Sequence, residues 1–155
     1  MRSVSVLGAT GSIGESAFDL LMRSGGADRW RVVALTGGRN IARLAGMARA
    51  LRAEIAVTAH PELLDDLREA IDHYRSQGDF TLPERFVAAY AEAVTHIEEH
   101  PLTGREYLPG YRRQVAIPFP YLLAYAVDDE SVCVAALLHA NRNPDANARI
   151  LRSRD

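Results

Sequence analysis

Lysine is missing from this sequence: all 18 cationic side chains are arginine. No lysine is therefore available to assist chemistry on a phosphate. The single cysteine, Cys133, excludes an internal disulfide and, lying in the apolar run VCVAALL, reads as a buried small hydrophobe. No apolar run approaches the roughly 18 residues of a membrane span. The N-terminus MRSVSVLGATGSIG lacks the basic, apolar and small-residue regions of a secretion signal, so a reducing cytoplasm is the expected compartment. Internal repeats, low-complexity tracts and a Pro/Gly-rich linker are also lacking. What is present is ordinary for a globular chain, with 48% apolar and 25% charged residues over a length of 155, enough for one ordinary domain or two very small ones.

Charge divides the chain unevenly. Residues 1–59 hold eight Arg against four acids, whereas residues 60–155 hold ten Arg against sixteen, so a front part at +4 precedes a rear part at -6. A domain built to grip nucleic-acid phosphates is ordinarily basic, and the acidic rear part argues against nucleic acid as its main partner.

The front segment alternates strand and helix signals. Ser3 to Leu7 is a short apolar strand ending in a glycine turn, Gly8, Gly11 and Gly14 with Thr10 and Ser12 between them, and a helix comes next on Ile13, Ala17, Leu20 and Leu21. Glycines here let backbone N–H groups approach a pyrophosphate, and the helix start presents its partial positive charge to the anion. The spacing G-x-x-G-x-x-G departs from the G-x-G-x-x-G fingerprint, so a tight turn without ligand is the alternative. A second strand over 31–36 runs into Gly37-Gly38-Arg39-Asn40, with Asn40 as N-cap of a helix on Ile41, Leu44, Met47, Ala48 and Leu51. Where an NAD site would place a carboxylate for the ribose hydroxyls, the chain supplies Arg39, which favours the 2′-phosphate of NADP or is a solvated first-turn residue.

The stretches VSVLGATGSIGESAFDLL and RVVALTGGRNIARLAGMARALRAEIAV resemble the N-terminus of 1-deoxy-D-xylulose 5-phosphate reductoisomerase, an enzyme of isoprenoid biosynthesis, over residues 3 to about 59. The resemblance implies a half-Rossmann βαβαβ unit, with Gly8, Thr10, Gly11, Ser12, Ile13 and Gly14 at the NADP(H) phosphates and Gly38, Arg39 and Asn40 at the adenosine end. The family's carboxylate metal ligands and sugar-phosphate site have no counterpart in residues 60–155, so reductoisomerase activity is not expected.

Beyond Ala56 the pattern changes. A helix carries Leu63, Leu64, Leu67, Ala70, Ile71 and Tyr74 on one face; after the loop 76–79, Thr81 and Glu84 have capping-box spacing ahead of a helix striped by Phe86, Tyr90, Val94 and Ile97. Three strands come next, 113–117, 121–127 and 131–138, the last hairpin closed by Asp128-Asp129-Glu130. The order β-α-α-β-β-β makes an antiparallel sheet with one face covered by a helical hairpin.

This order, with HPELLDDLREAIDHYRSQ, ERFVAAYAEAVTHIEEHPLTGREYLPGYRR and FPYLLAYAVDDESVCVAALLHANRNP, resembles the RelE/ParE toxins over residues 56 to about 150. The resemblance implies a toxin of a type II toxin–antitoxin system with a partly disordered cognate antitoxin. It leaves open a homodimer or a hetero-oligomer with the antitoxin. Two chemistries divide the family: binding of a protein target such as DNA gyrase, or cleavage of mRNA on the ribosome. Transfer of a 2′-OH onto phosphate needs a base, an acid and a cation, for which Arg112, Arg113, Tyr125, His139 and Arg142 are the candidates. Each also has an ordinary structural reading: Tyr125 as core, the two arginines as strand-edge caps, His139 as a hydrogen-bonded strand end. Charge favours the protein target. The expected domains are 1–55, a truncated dinucleotide-binding segment or an artefact of an upstream start codon, and 56–155, the toxin-like module. Residues 54–59 are expected to serve as last strand of the first and first strand of the second.

Overall fold

The computed structural model describes residues 1–128 and 131–154. It divides into two compact units, Met1–Pro61 and Glu62–Asp155.

The first unit is a parallel sheet in the order β1-β2-β3, from Arg2–Val6, Trp30–Gly37 and Ile55–Thr58. Helices α1 (Ser12–Arg23) and α3 (Ile41–Ala50) form the two crossovers, with a four-residue helix α2 (Gly26–Arg29) between α1 and β2. Leu21 of α1, Val32 and Leu35 of β2, and Leu44, Met47 and Leu51 in and after α3 form one buried cluster. Both long helices therefore cover the same face of the sheet. Asn40 caps α3 as the sequence predicts, its Oδ1 accepting the Arg43 N–H at 3.0 Å.

The second unit begins with α4 (Pro61–Arg75) and α5 (Leu82–Glu99) and continues through an antiparallel meander, β4 (Arg105–Leu108), β5 (Tyr111–Val115), β6 (Tyr121–Val127) and β7 (Val132–His139), to α6 (Pro144–Arg152). The half-Rossmann unit and the α+β module thus both stand. Several details differ from the sequence reading, β4 and α6 being additional to the elements read there. Strand β3 pairs with β2 in the parallel sheet, and the second sheet consists of β4 to β7, so residues 54–59 do not also supply the first strand of the second unit. The Thr81–Glu84 capping box is not made: Thr81 gives no side-chain cap, and its N–H and Oγ1 both bond to Asp79 Oδ1, at 2.9 and 2.7 Å, because the Asx turn competes for the same groups. In the predicted hairpin turn, Asp128 accepts the Ser131 N–H at 2.7 Å, while Asp129 and Glu130 lie outside the described residues.

Strand β6 is buried from Tyr121 to Tyr125, which requires cover on both faces. Leu122 and Ala124 pack with Ala136, Leu138 and Leu151 under α6. Tyr121 points the other way, its ring 5.0 Å from that of Phe86 on α5, within an aromatic cluster that includes Tyr74 and Phe119. Cys133 in β7 is half-buried.

Strand β7 ends the sheet, and side chains satisfy two backbone groups at the middle of its outer edge. Between Ala124↔Ala136 and Tyr125↔Val134 the register jumps, leaving Ala135 as a bulge. Arg154 donates to the Ala135 carbonyl at 3.1 Å, and Asp66 of α4 accepts the Leu137 N–H at 3.0 Å. The two side chains also pair with each other, Arg154 Nη1 to Asp66 Oδ2 at 2.7 Å and Nη2 to Oδ1 at 2.9 Å. The hydrogen bond to Asp66, ahead of the desolvation that opposes it, raises the Arg154 pKa. Removing one partner of such a pair leaves the other charge and a strand amide without a partner. Asp66→Ala should therefore cost about 2–4 kcal/mol of stability, read as a lowered denaturation midpoint with unchanged slope, whereas the same substitution at exposed Asp65 should cost less than about 0.5 kcal/mol.

Candidate functional site

The candidate residues gather at two places in the fold. The first is the glycine turn at the C-terminal ends of β1 and β2. Gly8 has φ +69°, a left-handed conformation that favours glycine, and a side chain added there or at Gly38 would meet nothing within 4 Å. Gly14 has the opposite requirement: a Cβ would lie 2.2 Å from the Gly8 carbonyl oxygen, so the start of α1 rests directly on the turn. The strand ends are laced together. Thr36 Oγ1 accepts the Gly8 N–H at 3.0 Å, the Ala9 N–H donates to the Thr36 carbonyl at 2.6 Å, Thr10 Oγ1 accepts the Gly38 N–H at 3.4 Å, and Thr58 Oγ1 donates to the Gly38 carbonyl at 2.7 Å.

Helix α1 starts from Gly11 without a side-chain cap, with Ser12 and Ile13 exposed beside it. Open space over Gly8 and Gly38 and an uncapped helix start fit the phosphates of a dinucleotide. Ser12 and Ile13 are exposed at the start of α1, Gly14 is buried against the turn, and Arg39 is half-buried. Asn40 is already engaged as the α3 cap through its Oδ1. Arg43, one turn on, donates to Glu15 at 2.8 Å and lies 5.1 Å from the centre of the Phe18 ring; its hydrogen bond holds the Glu15 carboxyl below the usual carboxylate range.

In the second unit the five candidates separate into two groups. Tyr125 is fully buried; its hydroxyl donates to the Pro101 carbonyl at 2.9 Å and accepts the Gly104 N–H at 3.2 Å. Arg112, opposite it in the ladder, donates to the carbonyls of Leu102 and Gly104 at 3.1 and 2.8 Å. Both side chains hold the segment entering β4. Arg113 stacks over Tyr107 at 5.6 Å. His139 and Arg142 lie elsewhere, in a recess of about 470 Å³ where the end of β7 meets α4, together with Glu69, His73, Tyr121 and Asn141.

The His139 ring stands edge-on to Tyr121 with centroids 4.9 Å apart, and its Nδ1 accepts the Asn141 N–H at 3.2 Å. That bond leaves the ring proton of the neutral histidine on Nε2. Arg142 stands 3.9 Å from Glu69, whose side chain is 78% exposed. Burial raises the Tyr121 phenol above its ordinary pKa, with Glu69 adding to the shift and Arg142 opposing it. Sequence reasoning missed Glu69, His73, Tyr121 and Asn141. The spacing of Glu69 and His73, four apart on the polar side of an amphipathic helix, was the available signal.

Comparison with known proteins covers both units. The family model described as 1-deoxy-D-xylulose 5-phosphate reductoisomerase matches residues 4–97, and the one described as ParE toxin of type II toxin–antitoxin system, parDE, matches residues 57–144. The reductoisomerase match thus runs well past residue 59, and the end of β3, all of α4 and most of α5 fall under both. The reductoisomerase of Paracoccus denitrificans is 76% identical over 71 residues, 46% of this chain and 18% of that protein. That of Ruegeria sp. (strain TM1040) is 38% identical over 155 residues, 97% of this chain and 36% of that protein. A solved Zymomonas mobilis reductoisomerase in complex with NADPH is 51% identical, with 45% of this chain and 18% of that one covered, at a TM-score of 0.40. The chain therefore spans from just under a fifth to just over a third of the length of these relatives. Over residues 4–97 the chain belongs to the 1-deoxy-D-xylulose 5-phosphate reductoisomerase family, and over residues 57–144 to the ParE toxin family of type II toxin–antitoxin systems.

Proposed function

We propose that this chain is the toxin of a type II toxin–antitoxin pair, acting by binding a protein target of the gyrase kind, with a small cognate antitoxin as its partner. Family membership over 57–144 supports the toxin reading. The observation that carries the choice of a protein target is the commitment of Arg112 and Tyr125 to the Pro101–Gly104 segment, away from His139 and Arg142. A phosphodiester-cleaving site needs its base, acid and cation around one phosphate. The acidic balance of residues 60–155 points the same way. A gyrase-type target implies action in the cytoplasm; no helix among the described residues is long and apolar enough to cross a membrane.

A second reading, favoured by the glycine turn alone, is retention of NADP(H) binding by the first unit. The bound cofactor would supply hydride chemistry; the chain's part would be to seat the phosphates on the turn and orient the adenosine end beside Arg39. Reductoisomerase turnover would further need carboxylates grouped around a divalent metal. Among the described residues no group of three or more His, Cys, Asp or Glu could hold one.

Induced expression should arrest growth, and co-expression of the adjacent small open reading frame should relieve it. Purified protein should then inhibit gyrase supercoiling while leaving ribosome-bound mRNA intact. Codon-specific cuts in mRNA would instead assign the RNA-cleaving chemistry, and unimpaired growth would remove the toxin reading. For the second reading, NADPH should raise the unfolding temperature by a few degrees more than NADH does, and Arg39→Ala should erase the difference; identical responses to the two cofactors would count against it.

A further inference from the structure

We propose that the recess between α4 and the end of β7 is a docking pocket for a carboxylate side chain of an acidic partner peptide, with Glu69 acting as its internal stand-in. The proposal rests on the toxin reading, which supplies a partner, and adds where and by what chemistry that partner is held.

The recess shows its own preference. On a unit with a net surplus of acid, Arg142, His139 and His73 come together in one place, and the group already facing Arg142 is a carboxylate. The contact is loose. At 3.9 Å it is longer than a hydrogen bond, and a Glu69 side chain 78% exposed has water as a ready alternative, so an incoming carboxylate displaces it at little cost.

Two histidines in the lining each keep a ring N–H donor. The Asn141 N–H holds His139 Nδ1, so Nε2 carries the proton and is the ring's donor. In the same way His73 Nε2 lies 2.9 Å from the Gln77 Nε2 amide; accepting from it leaves Nδ1–H as the donor of His73. Arg142 supplies the fork that binds a carboxylate with two parallel bonds. Tyr121, only 9% exposed, provides an aromatic wall, and a small adjoining hollow of about 30 Å³ shares Glu69, Tyr121, His139 and Arg142 with the recess and extends to Asp66 and Leu137. Arg142 is the only arginine among the lining residues, which suits a single carboxylate rather than a run of phosphates.

The test is titration of the full-length ¹⁵N-labelled chain with the peptide acetyl-Leu-Glu-Leu-Glu-Leu-amide, its Gln-for-Glu counterpart, and inorganic phosphate, read at the Arg142 Nε–H and Asn141 N–H signals. Only the acidic peptide should saturate. Arg142→Gln should weaken it at least tenfold, Arg142→Lys less so, and Glu69→Gln should tighten it about two- to fivefold by removing the competitor. Comparable binding of the Gln peptide, tighter binding of phosphate, or unchanged affinity in Arg142→Gln would overturn the assignment. Failure of the toxin reading appears separately, as unimpaired growth on induction of a chain that still binds the acidic peptide.

Discussion

The second unit depends on the closing of one strand edge. A β-strand at the end of a sheet offers a row of unpaired N–H and C=O groups, and in water those groups invite another strand. In this chain β7 is such a strand and is also the most buried run of the unit after β6, so its outer groups are both costly to leave unpaired and cut off from solvent. Asp66 and Arg154 answer each need with the matching partner, a carboxylate for the Leu137 N–H and a guanidinium for the Ala135 carbonyl, and neutralise each other in doing so. One pair of side chains thereby ties together the first helix of the unit, its last strand and its C-terminal end.

Other features depend on that closure. With α4 held along β7 by Asp66, the next turns of the same helix carry Glu69 and His73 to the end of the strand, where His139 and Arg142 emerge. The recess is thus positioned by the same helix that seals the edge. At the opposite end of β6 a second buried polar device, Tyr125 with Pro101 and Gly104, fixes the path into β4; a Cβ on Gly104 would come within 2.1 Å of the tyrosine oxygen, which explains the glycine. Tyr121 and Tyr125, four residues apart on one strand, thus serve the recess and the β4 entry respectively. Candidates from neighbouring strands are therefore separated into a structural group and an exposed one.

Much of this was legible from periodicity. The two apolar stripes mark α4 and α5: Phe86, Tyr90, Val94 and Ile97 are all buried, and so are Leu63, Leu67, Ala70 and Tyr74, while Leu64 and Ile71 at the margin of the first stripe are partly exposed. The glycine turn and the Asn40 cap were readable because backbone geometry restricts which residues can occupy them. Strand β4 was not, since Arg105-Glu106-Tyr107-Leu108 is short, polar and enclosed by turn residues. Helix α6 was hidden too: Asn143-Pro144 is a sound helix start, yet nine residues with a buried Asn147 give little apolar signal. The recess and the sealed edge were least visible, because Asp66 meets Arg154 across 88 positions and no local pattern encodes a pairing at that distance.

Residues 62–155 are expected to fold as a unit on their own interior and their own strand-edge pairing. Amide hydrogen exchange on that segment expressed alone tests it most directly. The buried amides of β6 and β7, those of Leu123 and Leu137 among them, should exchange at least about a thousandfold more slowly than in an unfolded chain. Exchange at unfolded-chain rates throughout β6 and β7 would contradict it.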